Sequence, residues 1–216
     1  MDVSISNYGE LKTAVADWLN DSTLTARIPD FILYAESIIY GDPKPVDPSV
    51  LPGVRVRAMY QRIVTAVTTE YFTSPANLLE LRDIQINTDP IVSLKYLTPK
   101  QLTDKYLASG GGPPKHYTII GDEIQLKPDP DASIDVEIGG NYKFTAFSAD
   151  VDENWLLTNH PFIYLYAALI AASPYLKDTT VDWKSEYITL VKSLNASEKR
   201  GQYGSSISST VRASTP

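Results

Sequence analysis

The sequence predicts an α+β chain in which helices from both ends of the polypeptide form one bundle and a β-rich segment is inserted between them. Three observations predict it. Apolar residues recur at helical spacing near both ends of the chain, over roughly 7–41 and 159–199. Between them, over roughly 54–147, the rhythm shortens to two and the residues become β-branched. Clusters of proline and glycine punctuate the joins. The chain has 216 residues, 43% of them hydrophobic, which is enough to bury a substantial core without covalent staples.

Taken in order, Asn7 is a plausible N-cap for a first helix whose Leu11, Val15, Trp18 and Leu19 fall on one face. Asn20-Asp21-Ser22 interrupts the pattern. Ile28, Phe31, Ile32, Ala35, Ile38 and Ile39 then mark a second helix, with Pro29 in its first turn and Gly41 at its end. Prolines at 43, 45, 48 and 52 exclude regular structure from the next segment. From Val54 the residues alternate, and strands are expected over 54–60 and 63–69, around 79–86, and over 91–97. Alternation would place Arg55 and Arg57 on one sheet face. Thr98-Pro99 opens a short helix, expected over 99–108. Two apolar runs around Gly121-Asp122 predict a hairpin, and Ile134, Val136 and Ile138 begin a last strand that could reach Phe144. Asn159 or His160 then caps a helix that starts at Pro161 and is apolar nearly all round through Ala172, so it is expected to be the central one. A last helix over about 180–199 carries Trp183, Tyr187, Leu190, Val191 and Leu194 on one stripe. The expected organisation is therefore 1–53, helical with a proline-rich loop; 54–147, the β-rich insertion with one short helix; 148–200, the returning helices; and 201–216, a tail.

Composition excludes several chemistries. The chain has no cysteine, which removes disulfides, thiol nucleophiles and thiolate metal sites. Its two histidines, His116 and His160, do not make a multi-histidine centre. A net charge of −7 disfavours general nucleic-acid binding, which rests on Lys and Arg neutralising phosphates. The opening residues lack a basic region followed by an apolar run, so no secretory signal is expected. The most apolar stretch, 162–172, is too short for a membrane span, which needs about 20 residues.

The remaining motifs fail on their own terms. Asp150-x-Asp152-x-Asn154 begins like a calcium loop, but Trp155 stands where the turn glycine belongs and Pro161 where the bidentate glutamate belongs. Gly110-Gly111-Gly112 is followed by Pro113-Pro114-Lys115, and prolines lack the N–H donors that cradle phosphate. There is no G-x-S-x-G elbow. Asp129/Asp131 and Asp150/Asp152/Glu153 fall in turns rather than as a facing pair of acids. Asn195-Ala196-Ser197 matches a glycosylation sequon, by chance in a chain without a secretory signal. No catalysis, cofactor or metal is expected. Arg55, Arg57 and Arg62 form a local basic cluster suited to salt bridges between subunits. The tail from Gly201 to Pro216 has no acid, one base and three apolar anchors. It cannot build a core alone and is either a frayed end or a segment that orders on a partner.

The order of certain runs along the chain is similar to that of the head-to-tail adaptor (head-completion) proteins of tailed bacteriophages. These runs are YGELKTAVADWLN (8–20), ARIPDFILYAES (26–37), PANLLELRDIQI (75–86), YLTPKQL (96–102), HYTIIGDEIQLKPDPD (116–131) and NWLLTNHPFIYLYAALIAASPYLKD (154–178). The resemblance covers most of 8–200. It departs in a longer 42–52 loop and in Asn77, where aspartate is common. It implies a virion protein assembled in the host cytoplasm, forming a ring of about twelve copies below the portal. The ring would join portal to tail, nozzle or neck proteins and continue the channel through which genomic DNA passes without specific binding. It also implies a C-terminal arm on the portal, with Tyr203, Ile207, Val211 and Arg212 as its contacts. The alternatives are a more distal tail or neck component, or a binding module such as one for carbohydrate using Trp155 or tyrosines.

Overall fold

The computed structural model describes residues 5–47, 49–107, 110–176 and 182–202, with side chains as far as 199. The chain divides into two compact units: the residues up to Arg57 together with those from Phe147 onward, and Ala58–Ala146.

The first unit is helical. Helix α1, Tyr8–Leu19, is capped by Asn7, whose side chain accepts from the Glu10 N–H. It ends at Asn20 in the left-handed conformation. Asp21 caps a 3-10 turn, Ser22–Arg27, which runs into α2, Ile28–Ile39, with Pro29 in its first turn. The returning chain forms a short helix α4, Trp155–Asn159, capped by Asn154, then α5, Pro161–Ala172, and α6, Trp183–Gln202. Helix α5 is central: nine of its twelve residues are buried, and α1, α2, α4 and α6 all pack on it. That follows from its composition, since a helix apolar on every side finds solvent on none.

The second unit holds two four-stranded sheets. Its elements are β1, Tyr60–Val67; β2, Tyr71–Thr73; β3, Leu78–Ile86; β4, Val92–Ser93; β5, Lys95–Tyr96; α3, Pro99–Lys105; β6, His116–Ile120; β7, Glu123–Lys127; and β8, Ile134–Tyr142. One sheet has the order β1-β8-β3-β4 and the other β2-β7-β6-β5; all pairs are antiparallel except the short β5–β6 pair. Val67, Ile84, Ile86, Val136 and Ile138 from the first sheet and Tyr117, Ile124 and Leu126 from the second make one core. Strand β3 carries two register shifts against β8, between Leu78 and Glu80 and between Leu81 and Asp83. Opposite them lie Gly139 and Gly140. A Cβ on Gly140 would press on the Glu80 carbonyl, so this bulged pairing requires glycine there.

The α+β architecture is as the sequence predicts, and several boundaries differ. The strand begins at Tyr60, not Val54: residues 54–56 belong to no helix or strand and Arg57–Met59 is a 3-10 turn. Arg55 and Arg57 therefore do not share a sheet face. Residues 91–97 form two two-residue strands in different sheets rather than one. Helix α3 ends at Lys105. Helix α4 is unanticipated, because only six residues separate its cap from Pro161 and no period is readable in so short a run. His160 takes the N-cap position of α5, but its side chain makes no capping bond. Trp18 is 42% exposed; Leu11, Ala14, Val15 and Leu19 are the buried face of α1.

Candidate interaction surfaces

Helix α6 carries more than an apolar stripe. Tyr187, Val191 and Leu194 are buried, as the spacing predicts. Tyr187 of that stripe, with Asn195 and Glu198 beside it, straps the segment that leads out of the proline-rich loop. The Tyr187 hydroxyl donates to the Pro52 carbonyl at 3.0 Å. The Asn195 amide donates to the Gly53 carbonyl and accepts from the Arg55 N–H, both at 2.9 Å. It thus does for residues 53–55 what a neighbouring strand would do. Glu198 accepts from the Arg57 N–H at 2.9 Å and from its guanidinium at 3.1 Å. That backbone bond, and then the guanidinium, hold the Glu198 carboxyl below its ordinary pKa. Burial pushes the Tyr187 phenol well up. The loop itself is pinched shut: Gly53 donates to the Asp42 carbonyl and Val54 to that of Ile39, and a Cβ on Gly53 would overlap the Gly41 carbonyl.

The arginine cluster splits between the units. The Arg55 guanidinium donates to the Val54 carbonyl at 2.7 Å and to that of Tyr40 at 3.3 Å. Arg57 is 57% exposed beyond its bond to Glu198. Arg62, on β1, pairs with Glu137 at 2.6 Å and Asp83 at 3.1 Å, across three strands of the first sheet. Tyr203, Ile207, Val211 and Arg212 lie outside the described residues.

Grooves open on the helical unit among the described residues. One of about 830 Å³ runs between α2 and the end of α5, with Tyr34 and Tyr175 on its walls. One of about 600 Å³ lies between the proline-rich loop and α6. One of about 340 Å³ lies between the start of α5 and α6. A continuous aromatic surface joins Trp18, Phe162, Tyr166 and Trp183, whose ring centroids are spaced 5.4–6.2 Å apart. In the β unit, Lys105 donates to Nε2 of His116 at 3.0 Å, and Nδ1 lies 2.6 Å from the Tyr106 hydroxyl. Burial first, then Lys105, Lys95 and Lys115, hold this imidazole below its ordinary pKa.

The turn acids are in use as turn acids. The Asp152 carboxylate accepts from the Ser148 N–H, the Ser148 hydroxyl and the Ala149 N–H. Asp150 pairs with Lys12 at 2.5 Å, and Asp129 with Lys127 at 2.7 Å. Among the described residues no three His, Asp or Glu side chains are grouped to hold a metal ion. Among the same residues no helix is long and apolar enough to cross a membrane. What this chain offers is surface: an exposed aromatic patch, grooves and a strapped loop, all suited to contact with other proteins.

Sequence reading missed Asn195, which the sequon explained away, together with Glu198. The available signal was an asparagine in mid-helix, beside the apolar stripe, where it lowers helix propensity and so needs a reason.

Residues 6–213 match the family model described as SU10 adaptor protein. No curated protein matches the chain.

Proposed function

The chain belongs to the SU10 adaptor protein family, a family of phage head–tail adaptors, and from that premise we propose that it forms the ring joining the portal to the tail. Phage adaptors are structural components of the virion, and that much follows from membership. The ring, its position under the portal and the channel for DNA are the further reading. Its principal support is the extent of the match, which spans both units and reaches into the tail. Physical chemistry agrees. About twelve copies at −7 each carry roughly −84, which repels phosphate if acids line the lumen. The same charge opposes ring formation in free solution, so assembly waits for the portal.

In this reading the bundle forms the ring wall and the β unit meets tail, nozzle or neck proteins. Tyr203, Ile207, Val211 and Arg212 belong to an arm on the portal. Arg55, Arg57 and Arg62 contribute contacts between neighbouring subunits. Nothing in the reading calls for catalysis or a cofactor.

The test compares the full chain with a chain stopped after Gln202, each mixed with the portal ring from the same source. Co-sedimentation of the full chain, lost on truncation, is the expected result. Equal binding by both forms removes the arm from the account. Binding by neither, with binding to a tail-tube or nozzle protein instead, makes this a more distal tail component.

A further inference from the structure

Among the described residues, the two most exposed apolar side chains of the helical unit sit in opposite electrostatic settings. Val46, 99% exposed, lies on the rim of the groove between the proline-rich loop and α6. That groove has an apolar floor that includes Val50 and Ile188, and its charged lining residues are Lys44, Lys192 and Lys199, with no carboxylate among them. Asp42 and Asp47 in the same loop turn their carboxylates onto the N–H groups of Lys44 and Ser49 and do not line it. Val151, 79% exposed, stands in the turn Asp150-Val151-Asp152-Glu153, which has an apolar tip between carboxylates. Lys12 offsets the Asp150 charge and the Asp152 carboxylate is turned back onto Ser148 and Ala149, so exposed Glu153 is the carboxylate of this turn that faces outward.

We propose that the 150–153 turn of one copy seats in the lysine-framed groove of the next copy, with Val151 on the apolar floor. This rests on the ring reading above and names its subunit contact. Charge complementarity selects the occupant. A groove framed by three ammoniums and floored by aliphatic carbon favours an acidic segment with one small apolar side chain. The described chain carries such a segment in 150–153. A groove of about 600 Å³ holds a short turn of this kind rather than a single side chain. The two surfaces share no residue, so the contact is heterologous, the type that builds closed rings when the rotation closes. Its electrostatic part involves exposed groups and weakens with salt over a Debye length of about 8–10 Å.

The chain's lack of cysteine supplies the experiment. Val46→Cys and Val151→Cys are made singly and together in the full chain and treated with a short bis-maleimide, alone and on the portal ring. Each single variant by itself should give monomer, a mixture of the two should give a cross-linked dimer, and the double variant should give a ladder. Lys192→Glu with Lys199→Glu should reduce the ladder at least tenfold, and adding Glu153→Lys should recover part of it. If the chain joins the portal in many copies but Val46 and Val151 do not cross-link, the contact is overturned while the ring reading stands. Cross-linking of the Val46→Cys variant to a portal or tail protein assigns the groove to that partner and also overturns it. If the chain neither joins the portal nor self-associates, both readings fall together.

Discussion

Replacing Asn195 by alanine removes both bonds that hold residues 53–55 to α6. The Arg55 N–H loses its acceptor and the Gly53 carbonyl its donor, each from a 2.9 Å bond in a half-buried setting. A buried backbone group left without a partner costs about 1–3 kcal/mol; with partial access to water the lower half of that range applies to each. The expected loss is therefore about 2–4 kcal/mol. With a urea m-value of about 2–3 kcal/mol per molar for a chain of this size, the unfolding midpoint should fall by roughly 1 M. Asn195→Asp separates the two bonds. It keeps the acceptor for Arg55 but sets a carboxylate against the Gly53 carbonyl, so it should lose stability as well. Ser193→Ala, on the exposed face two residues away, should stay within about 0.5 kcal/mol. Urea melts followed by far-UV circular dichroism measure all three. If Asn195→Ala melts with the unmodified chain, the strap carries no load and the reasoning about this segment is wrong.

The other expectations are simpler. Tyr187→Phe removes one buried bond to the Pro52 carbonyl and should cost about 1–2 kcal/mol in the same melts, whereas Tyr187→Leu should cost more through lost packing. Gly53→Ala must move the Gly41 backbone and Gly140→Ala the Glu80 carbonyl, so each should cost about 2 kcal/mol or more; Gly139→Ala meets only the ends of the Asp83 and Tyr60 side chains and should be milder. His116 is held below its ordinary pKa, so the unfolded chain binds a proton that the fold refuses. Its contribution is intact above about pH 6.5 and is lost as pH falls through that value towards the lower folded one. His116→Gln should flatten the pH dependence of the urea midpoint between about pH 7.5 and 5.5, and an unchanged slope would refute that role.

Much of the helical unit was legible because its signals are local. Asn7, Pro29 and Pro161 announce helix starts, and the buried faces of α2 and α6 follow their spacing. The start of β1 differs because Val54 and Val56 alternate like a strand and are buried, yet Val54 donates to the end of α2 and Arg55 to Asn195 of α6 rather than to a sheet. Alternation reports burial on one side, not what does the burying. Trp18 shares a face with Leu11 and Val15, two turns and one turn before it, but its ring lies at the edge of the stripe, against Tyr166 and Trp183. Asn195 and Glu198 were invisible as a site because their partners lie 140 and 141 residues away. No period or motif encodes a contact of that separation. The grooves are of the same kind: each is a junction of segments distant in sequence.

The proposed role of this chain is a ring on the portal. The most direct measurement is the mass and rotational symmetry of the portal complex at saturating full-length chain, by native mass spectrometry and image averaging. A saturable addition of about twelve copies, in one symmetric layer on the tail-facing side, is the predicted result. Substoichiometric or unsaturable addition, or a layer that assembles only on a tail protein, would contradict it.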